Sequence, residues 1–236
     1  MHPPLIDIHC HILPGLDDGP ASLATSTAMA EVAAGDTIGV VIATPHTDGI
    51  RVHRDTVRPK VRELNRELNR LAISLEILAG YEIPSHLAVE LAADHPLAGS
   101  SYVLIEFPHT YLPQDALTTI YRLQDQGLYP IIAHPERNGD VLTQPDRLLP
   151  LIEAGALAQL TAASITGELG ADLQRCAHYL LKKDMIQFIA TDSHSPSFRR
   201  PVLQQAYAVT AKLLGRQKAD LLIRTNPGRI IAPGHP

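Results

Sequence analysis

Seven short runs recur along the chain at 6–9, 38–44 (IGVVIAT), 75–80 (LEILAG), 102–105, 129–133 (YPIIA), 156–160 (ALAQL) and 186–190 (IQFIA). Each is strand-length, largely apolar and bounded by turn residues, so each reads as a strand. Between them lie stretches of helical periodicity at 20–34, 56–71, 84–93, 115–126, 147–153, 172–183, 202–214 and 218–224. Pro20 stands where a helix can begin, and Gly35 and Gly127 stand where helices can end. Leu64, Leu68 and Leu71 share one helical face and are expected to pack inward. Asn226-Pro227 and the Pro/Gly-rich tail are read as the stop of the last helix. Strand and helix alternate throughout, which implies parallel strands with helical crossovers. The strands are continuously apolar rather than alternating, as expected of a sheet covered by helices. A closed or nearly closed β/α barrel of the TIM type is the expected fold, with a doubly wound open sheet as the alternative. No linker or change of composition divides 1–236, so one α/β domain is expected.

Composition narrows the partners. Net charge is −5 with neutral histidine, which does not favour a nucleic-acid or membrane surface. No apolar run is long enough to span a bilayer, and no basic-then-apolar leader is visible. Cys10 and Cys176 are far apart and give no disulfide framework, which fits a reducing compartment, so a cytoplasmic enzyme is expected. Twelve histidines in 236 residues are many, and they point towards metal.

The helix at 56–71 carries a basic stripe of Arg58, Arg62, Arg66 and Arg70 beside Glu63 and Glu67. Such a stripe suits a solvated face, or contact with a partner subunit or an acidic polymer.

The chemistry gathers at the strand ends. His9 and His11 sit two apart at the end of the first run, on one face and about 7 Å apart along an extended chain. The second run ends at His46, the third at Glu82, the fourth at Glu106 and the fifth at His134, and the seventh leads into Asp192 and His194. The loop after the first strand adds Asp17 and Asp18. In a β/α barrel the C-terminal strand ends converge on one face, where active sites are built. So many carboxylates at one focus repel one another and are costly to desolvate. Divalent cations resolve that conflict, and mixed histidine and carboxylate ligation suits Zn, Fe or Mn. The donors exceed what one ion needs, so two or three ions are expected.

Seven segments in order, DIHCHILPGLDDG (7–19), ATPH (43–46), GYEI (80–83), LIEFP (104–108), IIAHPERN (131–138), QLTAASITGELG (159–170) and ATDSHS (190–195), span nearly the whole chain. Their ordered set resembles the polymerase-and-histidinol-phosphatase (PHP) superfamily. More narrowly, it resembles the bacterial tyrosine phosphatases of capsular and exopolysaccharide loci. The resemblance implies a distorted seven-stranded β/α barrel forming one metallophosphoesterase domain with a trinuclear centre. Mn is the foremost metal, with Fe, Zn or Mg as alternatives.

By the same resemblance, His9, His11 and Asp192 would hold one ion. Glu82 would bridge it to a second, completed by Glu106 and His134, and Asp18, His46 and His194 would hold a third. Asp17 would be a poorer ligand than Asp18. From strand alternation, Asp7 shares the face of His9 and His11, where it could orient a ligand or bind directly and reads best as sitting behind the ligands, and Cys10 reads as packing on the opposite face. Arg137 would grip phosphate, and Arg199 or Arg200 would join it, since the planar guanidinium matches phosphate oxygens. Arg137, Asp192 and His194 are the catalytic candidates. Thr47-Asp48 departs from the aromatic residue or second histidine common after the second motif, which bears on the rim that meets substrate.

The expected reaction is hydrolysis of a phosphomonoester by metal-bound hydroxide, with phosphotyrosine protein as substrate. A phenolate leaving group, of parent pKa about 10, needs little protonation. A polysaccharide-locus kinase with a tyrosine-rich tail is the implied substrate, and a homo-oligomer is compatible with the pattern. Neither cysteine begins a C-x5-R loop, and no G-x4-G-K-[ST] loop is present, so thiol catalysis and ATP use are not expected. The rivals are a histidinol-phosphate phosphatase on the same metals, a TatD-like metal-dependent hydrolase or deoxyribonuclease, and a non-catalytic regulatory module. The TatD type would want a further histidine where this chain offers Thr161, and a regulatory module would be expected to have lost ligands.

Overall fold

The structure, a computed structural model, describes residues 4–232; the tail at 233–236, expected to stop the last helix, lies outside them. The chain begins with strand β1 (Leu5–Cys10), helix α1 (Leu23–Gly35), β2 (Ile38–Ala43), α2 (Arg54–Arg70), β3 (Glu76–Ala79), β4 (Glu82–Pro84) and α3 (Ser85–Leu91). It continues through β5 (Tyr102–Glu106), α4 (Ala116–Asp125), β6 (Tyr129–Ala133), α5 (Gly139–Thr143), α6 (Leu149–Glu153), β7 (Leu157–Thr161), α7 (Ala162–Thr166) and α8 (Ala171–Lys182). It finishes with β8 (Phe188–Ala190), α9 (Gln204–Leu214), α10 (Arg216–Asp220) and α11 (Asn226–Ile231).

The strands are parallel, as the alternation of elements requires. The expectation is a closed or nearly closed, distorted barrel of seven strands; the count of seven is corrected, and strand pairing among the described residues forms no closed barrel. Among the described residues eight strands form two sheets, in the orders β1-β2-β3 and β4-β5-β6-β7-β8. The extra strand arises because the third expected run breaks at Gly80-Tyr81. Gly80 donates its N–H to the Ala43 carbonyl at 2.8 Å, and a Cβ there would lie 2.6 Å from Ile42 Cγ2. Only glycine permits that approach. The chain then resumes as β4 beside the extension of β2, with an isolated bridge between His46 and Glu82. On the other flank, Asp192 N–H donates to the His9 carbonyl and His11 N–H to the Ser193 carbonyl, both at 2.8 Å, so β1 meets the end of β8.

Two apolar clusters hold these layers. Ile6 and Ile8 of β1 meet Ile42, Leu104, Ile131 and Phe188 in one, so side chains from five strands share an interior. The larger cluster packs helices on strands, with Met29 of α1, Leu64 and Leu68 of α2, Ile120 of α4 and Leu180 of α8 fully buried. Burying a leucine-sized side chain stabilises by about 1.5–3 kcal/mol, so these positions anchor the helices. Leu71, expected inward, instead follows the end of α2 and is exposed. The predicted stop at Asn226-Pro227 is also corrected. After one π turn the chain re-enters a helix with Pro227 in its first turn, where the missing N–H costs nothing.

Candidate metal centre

All nine histidine and carboxylate ligand candidates reach one end of the strands. Their donor atoms form four overlapping groups, each with all atoms within 4.8 Å of one another. The groups are His11, Asp18, His46 and His194; His9, His134 and Asp192; His9, His11 and Glu82; and His46, Glu82 and Glu106. The set containing Asp18, His46 and His194 coincides with one expected grouping and adds His11. His134 groups with His9 and Asp192, and it also lies 3.1 Å from Glu82 and 3.5 Å from Glu106.

The backbone aims these groups. The pairing of β1 with β2 shifts register between Asp7 and Cys10, an irregularity that re-aims side chains. Asp7 turns to accept hydrogen bonds from the Thr191 N–H at 2.9 Å and from the Thr191 hydroxyl. His9 and His11 bring their Nε2 atoms to 3.2 Å. His134 and Asp192, each just beyond a strand end, adopt left-handed backbone at φ 31° and 49°. Non-glycine residues rarely hold that conformation, at a cost of about 1–2 kcal/mol each.

Hydrogen bonds behind the rings fix which nitrogen faces inward. His9 Nδ1 donates to Gln159 Oε1 at 2.9 Å, His11 Nδ1 to Asp17 Oδ2 at 2.7 Å, and His194 Nδ1 to the Asp192 carbonyl at 3.0 Å. Each Nε2 is then turned to the centre, where a neutral ring offers a lone pair. His9 Nε2 lies 3.3 Å from both Glu82 Oε1 and Asp192 Oδ1, and His194 Nε2 lies 3.2 Å from Asp18 Oδ1. Glu82 Oε2 is buried, lies 3.2 Å from His11 Nε2 and 3.1 Å from His46 Nδ1, and makes no hydrogen bond. Opposed acceptors and an orphaned carboxylate oxygen are what a cation would satisfy, so these residues fit divalent metal.

The electrostatics make the same demand. Burial opposes protonation of His9 and His11, yet the facing carboxylates raise both, His11 to about 10 through Asp17 and Glu82. Burial pushes Glu82 and Asp192 up, but His9 and the neighbouring rings hold both well below the carboxylate range. The centre therefore draws in positive charge. His194, desolvated and beside His11, is pushed down to about 4 and stays neutral, as a ligand must.

Arg137, from the turn after β6, and Arg199, from the loop after His194, both pair with Asp192 Oδ2. Arg199 Nε is buried with no partner. Arg200 is exposed and acts on Asp36, so of the two later arginines only Arg199 reaches the cluster. Cys10 is fully buried, burial raises its thiol far above the ordinary range, and Sγ turns to the Ser193 carbonyl. The Cys176 thiol is pushed up to about 12 by burial. Neither supplies a thiolate.

Sequence reasoning missed three residues. Gln159, inside the 159–170 segment, carries no role legible in the sequence, and Asp17, weighed there only as a ligand, orients His11. His109 lies one position beyond the LIEFP segment at 104–108. It stacks on His134 with centroids 5.5 Å apart and planes at 6°, and it contacts Glu106 at 3.3 Å. A histidine three residues after the strand-end Glu106 was the available signal.

Residues 5–232 match the family described as capsular polysaccharide synthesis, CpsB/CapC. The chain belongs to that family. It is 38% identical to the tyrosine-protein phosphatase YwqE of Bacillus subtilis over 233 residues, covering 93% of this chain and 92% of YwqE. It is 30% identical to the tyrosine-protein phosphatase CpsB of Streptococcus pneumoniae, covering 96% and 98% of the two chains. A crystal structure from work on YwqE and CpsB, described as metal-dependent tyrosine phosphatases, superposes with a TM-score of 0.91 at 37% identity. It covers 96% of this chain and 94% of that one. Among the described residues no helix is long and apolar enough to cross a membrane.

Proposed function

We propose that this protein is a metal-dependent phosphatase that hydrolyses phosphotyrosine in proteins and serves control of capsular or exopolysaccharide synthesis. The observation that carries this reading is nine histidine and carboxylate donors in four overlapping groups, flanked by Arg137 and Arg199 on the shared Asp192. His9, His11, Asp18, His46, Glu82, Glu106, His134, Asp192 and His194 are the residues that would hold two or three divalent ions, with Mn foremost. When bound, such ions polarise phosphoryl oxygens and lower the pKa of water.

The chain's own residues do the rest. Asp17 and Gln159 hold His11 and His9 in the required tautomer. Asp192 holds the two guanidinium groups side by side, where they meet the equatorial oxygens of a phosphomonoester and stabilise charge growing there. A tyrosine phenolate departs without needing a strong acid, since its parent pKa is about 10.

Support for a protein substrate comes from the family and from YwqE and CpsB, and the tyrosine-rich tail of a polysaccharide-locus kinase is the foremost candidate. Two free buried cysteines suit a reducing, cytoplasmic setting. Taking β3 and β4 as one stave, we read the two sheets as a distorted seven-stave barrel. The bridges Cys10–Ser193 and His46–Glu82 support that reading.

The test is one assay on matched phosphotyrosine peptide and histidinol phosphate, with Mn²⁺ and with chelator. Phosphotyrosine turnover that requires metal is expected. Activity surviving complete metal removal overturns the mechanism, and a clear preference for histidinol phosphate overturns the substrate.

A further inference from the structure

The basic stripe of α2 has no part in the centre described above. In the structure it is longer at its front end than the helical spacing indicated. Arg51 lines an open groove of about 660 Å³ together with Asp17, Asp18, Asp48, His46 and Pro84. The turn that carries it is built by Asp48, whose Oδ1 accepts from the N–H groups of Ile50, Arg51 and Val52. Three residues later α2 begins, and Arg54, Arg58 and Arg62 line a second open groove of about 500 Å³ with Asp55 and Pro59. Arg54 and Arg58 also line a third hollow of about 220 Å³ beside Tyr81 and Asp94.

All four arginines are exposed. Arg70, at the far end of the helix, is tied to Glu67 at 2.7 Å. Among the described residues, Arg51, Arg54, Arg58 and Arg62 form no ion pair within 4.0 Å. Along the second groove three arginines face one carboxylate, Asp55, while Asp94 lines the adjoining hollow and Asp17, Asp18 and Asp48 line the groove of Arg51, in a chain whose net charge is −5. That local excess of one sign attracts the opposite sign.

The spacing matches an extended peptide. Residues four apart on a helix are offset by about 6 Å along its axis. Alternate side chains of an extended strand are offset by about 6.6 Å. Arg54 to Arg62 thus covers about 12 Å, or roughly four residues of extended chain. Guanidinium groups bind carboxylates through paired N–H donors.

We propose that the face Arg51-Arg54-Arg58-Arg62 docks an acidic segment of the substrate protein, with carboxylate side chains at alternate positions, while the adjoining phosphotyrosine occupies the metal centre. This rests on reading that centre as a phosphotyrosine hydrolase. Selectivity among phosphotyrosine sites then comes from charge on α2, outside the reacting groups.

The test uses the full chain with Mn²⁺ and three phosphotyrosine peptides of equal length. One carries Glu at alternate positions before the phosphotyrosine, one carries Glu after it, and one carries Gln throughout. p-Nitrophenyl phosphate is measured beside them. One acidic peptide should show a KM about tenfold below the Gln peptide at low salt. The advantage should vanish at about 0.5 M NaCl and in the double variant Arg58→Glu, Arg62→Glu, with p-nitrophenyl phosphate turnover unchanged. Equal KM for the three peptides, or an advantage kept by the variant, overturns the docking proposal while leaving the phosphatase reading intact. A variant that changes the oligomeric mass but not peptide KM overturns it in favour of a contact between copies of the chain. If neither peptide nor small ester is hydrolysed, the phosphatase reading fails. Docking is then decided by fluorescence anisotropy of the labelled acidic and Gln segments without phosphotyrosine. Tighter binding of the acidic one, lost in the variant, is the supporting result, and equal binding overturns docking as well.

Discussion

His9 and Gln159 stand 150 positions apart, and the Nδ1 of one donates to the Oε1 of the other at 2.9 Å in a fully buried pair. That hydrogen bond fixes the tautomer of the ring and turns Nε2 towards Glu82 and Asp192.

Replacing Gln159 with Leu should therefore loosen metal rather than abolish chemistry. Partners behind a ligating histidine are worth about 10- to 100-fold in metal affinity. Chelator competition should show Mn²⁺ affinity falling by that amount, with much of kcat recovered at saturating Mn²⁺. Unchanged affinity would remove Gln159 from the site.

Asp17 works on His11 in the same way but through charge. In the metal-free protein His11 is raised from 6.5 to about 10 despite burial, because Asp17 and Glu82 favour the proton. A raised histidine contributes stability that is complete below about pH 6.5 and is lost as pH rises through about 10. Asp17→Asn should lower the His11 pKa in an NMR titration of chelated protein. It should cost about 2 kcal/mol at neutral pH, the worth of a charge-assisted hydrogen bond, and that cost should shrink as pH approaches 10.

The two later arginines should separate. Arg199→Ala should lower kcat/KM about 100-fold, the scale of a lost donor to developing charge. Arg200→Ala should stay near wild type, because Arg200 is exposed, acts on Asp36 and forms no ion pair with Asp192 among the described residues. Comparable losses in both variants would contradict the placement of Arg199.

Metal should act on stability as well as on turnover. A ligand at 100 times its Kd stabilises by about 2.7 kcal/mol, so Mn²⁺ should raise Tm and chelator should reverse it. His134→Ala should abolish turnover, keep the far-ultraviolet circular dichroism of the fold, and show a smaller Tm rise with Mn²⁺. Turnover near wild type would misplace His134.

Much of the centre was legible in the chain itself. Continuous apolar runs marked parallel strands, parallel strands put their ends on one face, and the residues just past those ends were histidine and carboxylate. His9, His46, Glu82 and His134 needed no other information to be candidates, because strand polarity alone brings strand ends together. The split of the third run was not legible, since Gly80 reads as a strand end until Ile42 and Leu97 are packed against it. The left-handed turns at His134 and Asp192 carry no glycine to announce them.

Periodicity and local chemistry are properties of neighbours along the chain, so the sequence by itself determined seven strand-forming runs, the long helices between them and the residue types gathered at the strand ends, but not β4, α5, α7 or α11. Partner choice is a property of neighbours in space. Only the tertiary structure decided that Gln159 stands behind His9, that Asp17 stands behind His11, and that Arg199 rather than Arg200 meets Asp192. The register of β1 against β2 and the meeting of β1 with β8 set those distances, and no window of sequence contains both partners. The same holds for α2, whose arginines gained a direction only when Arg51 was placed in the groove beside His46 and Asp18.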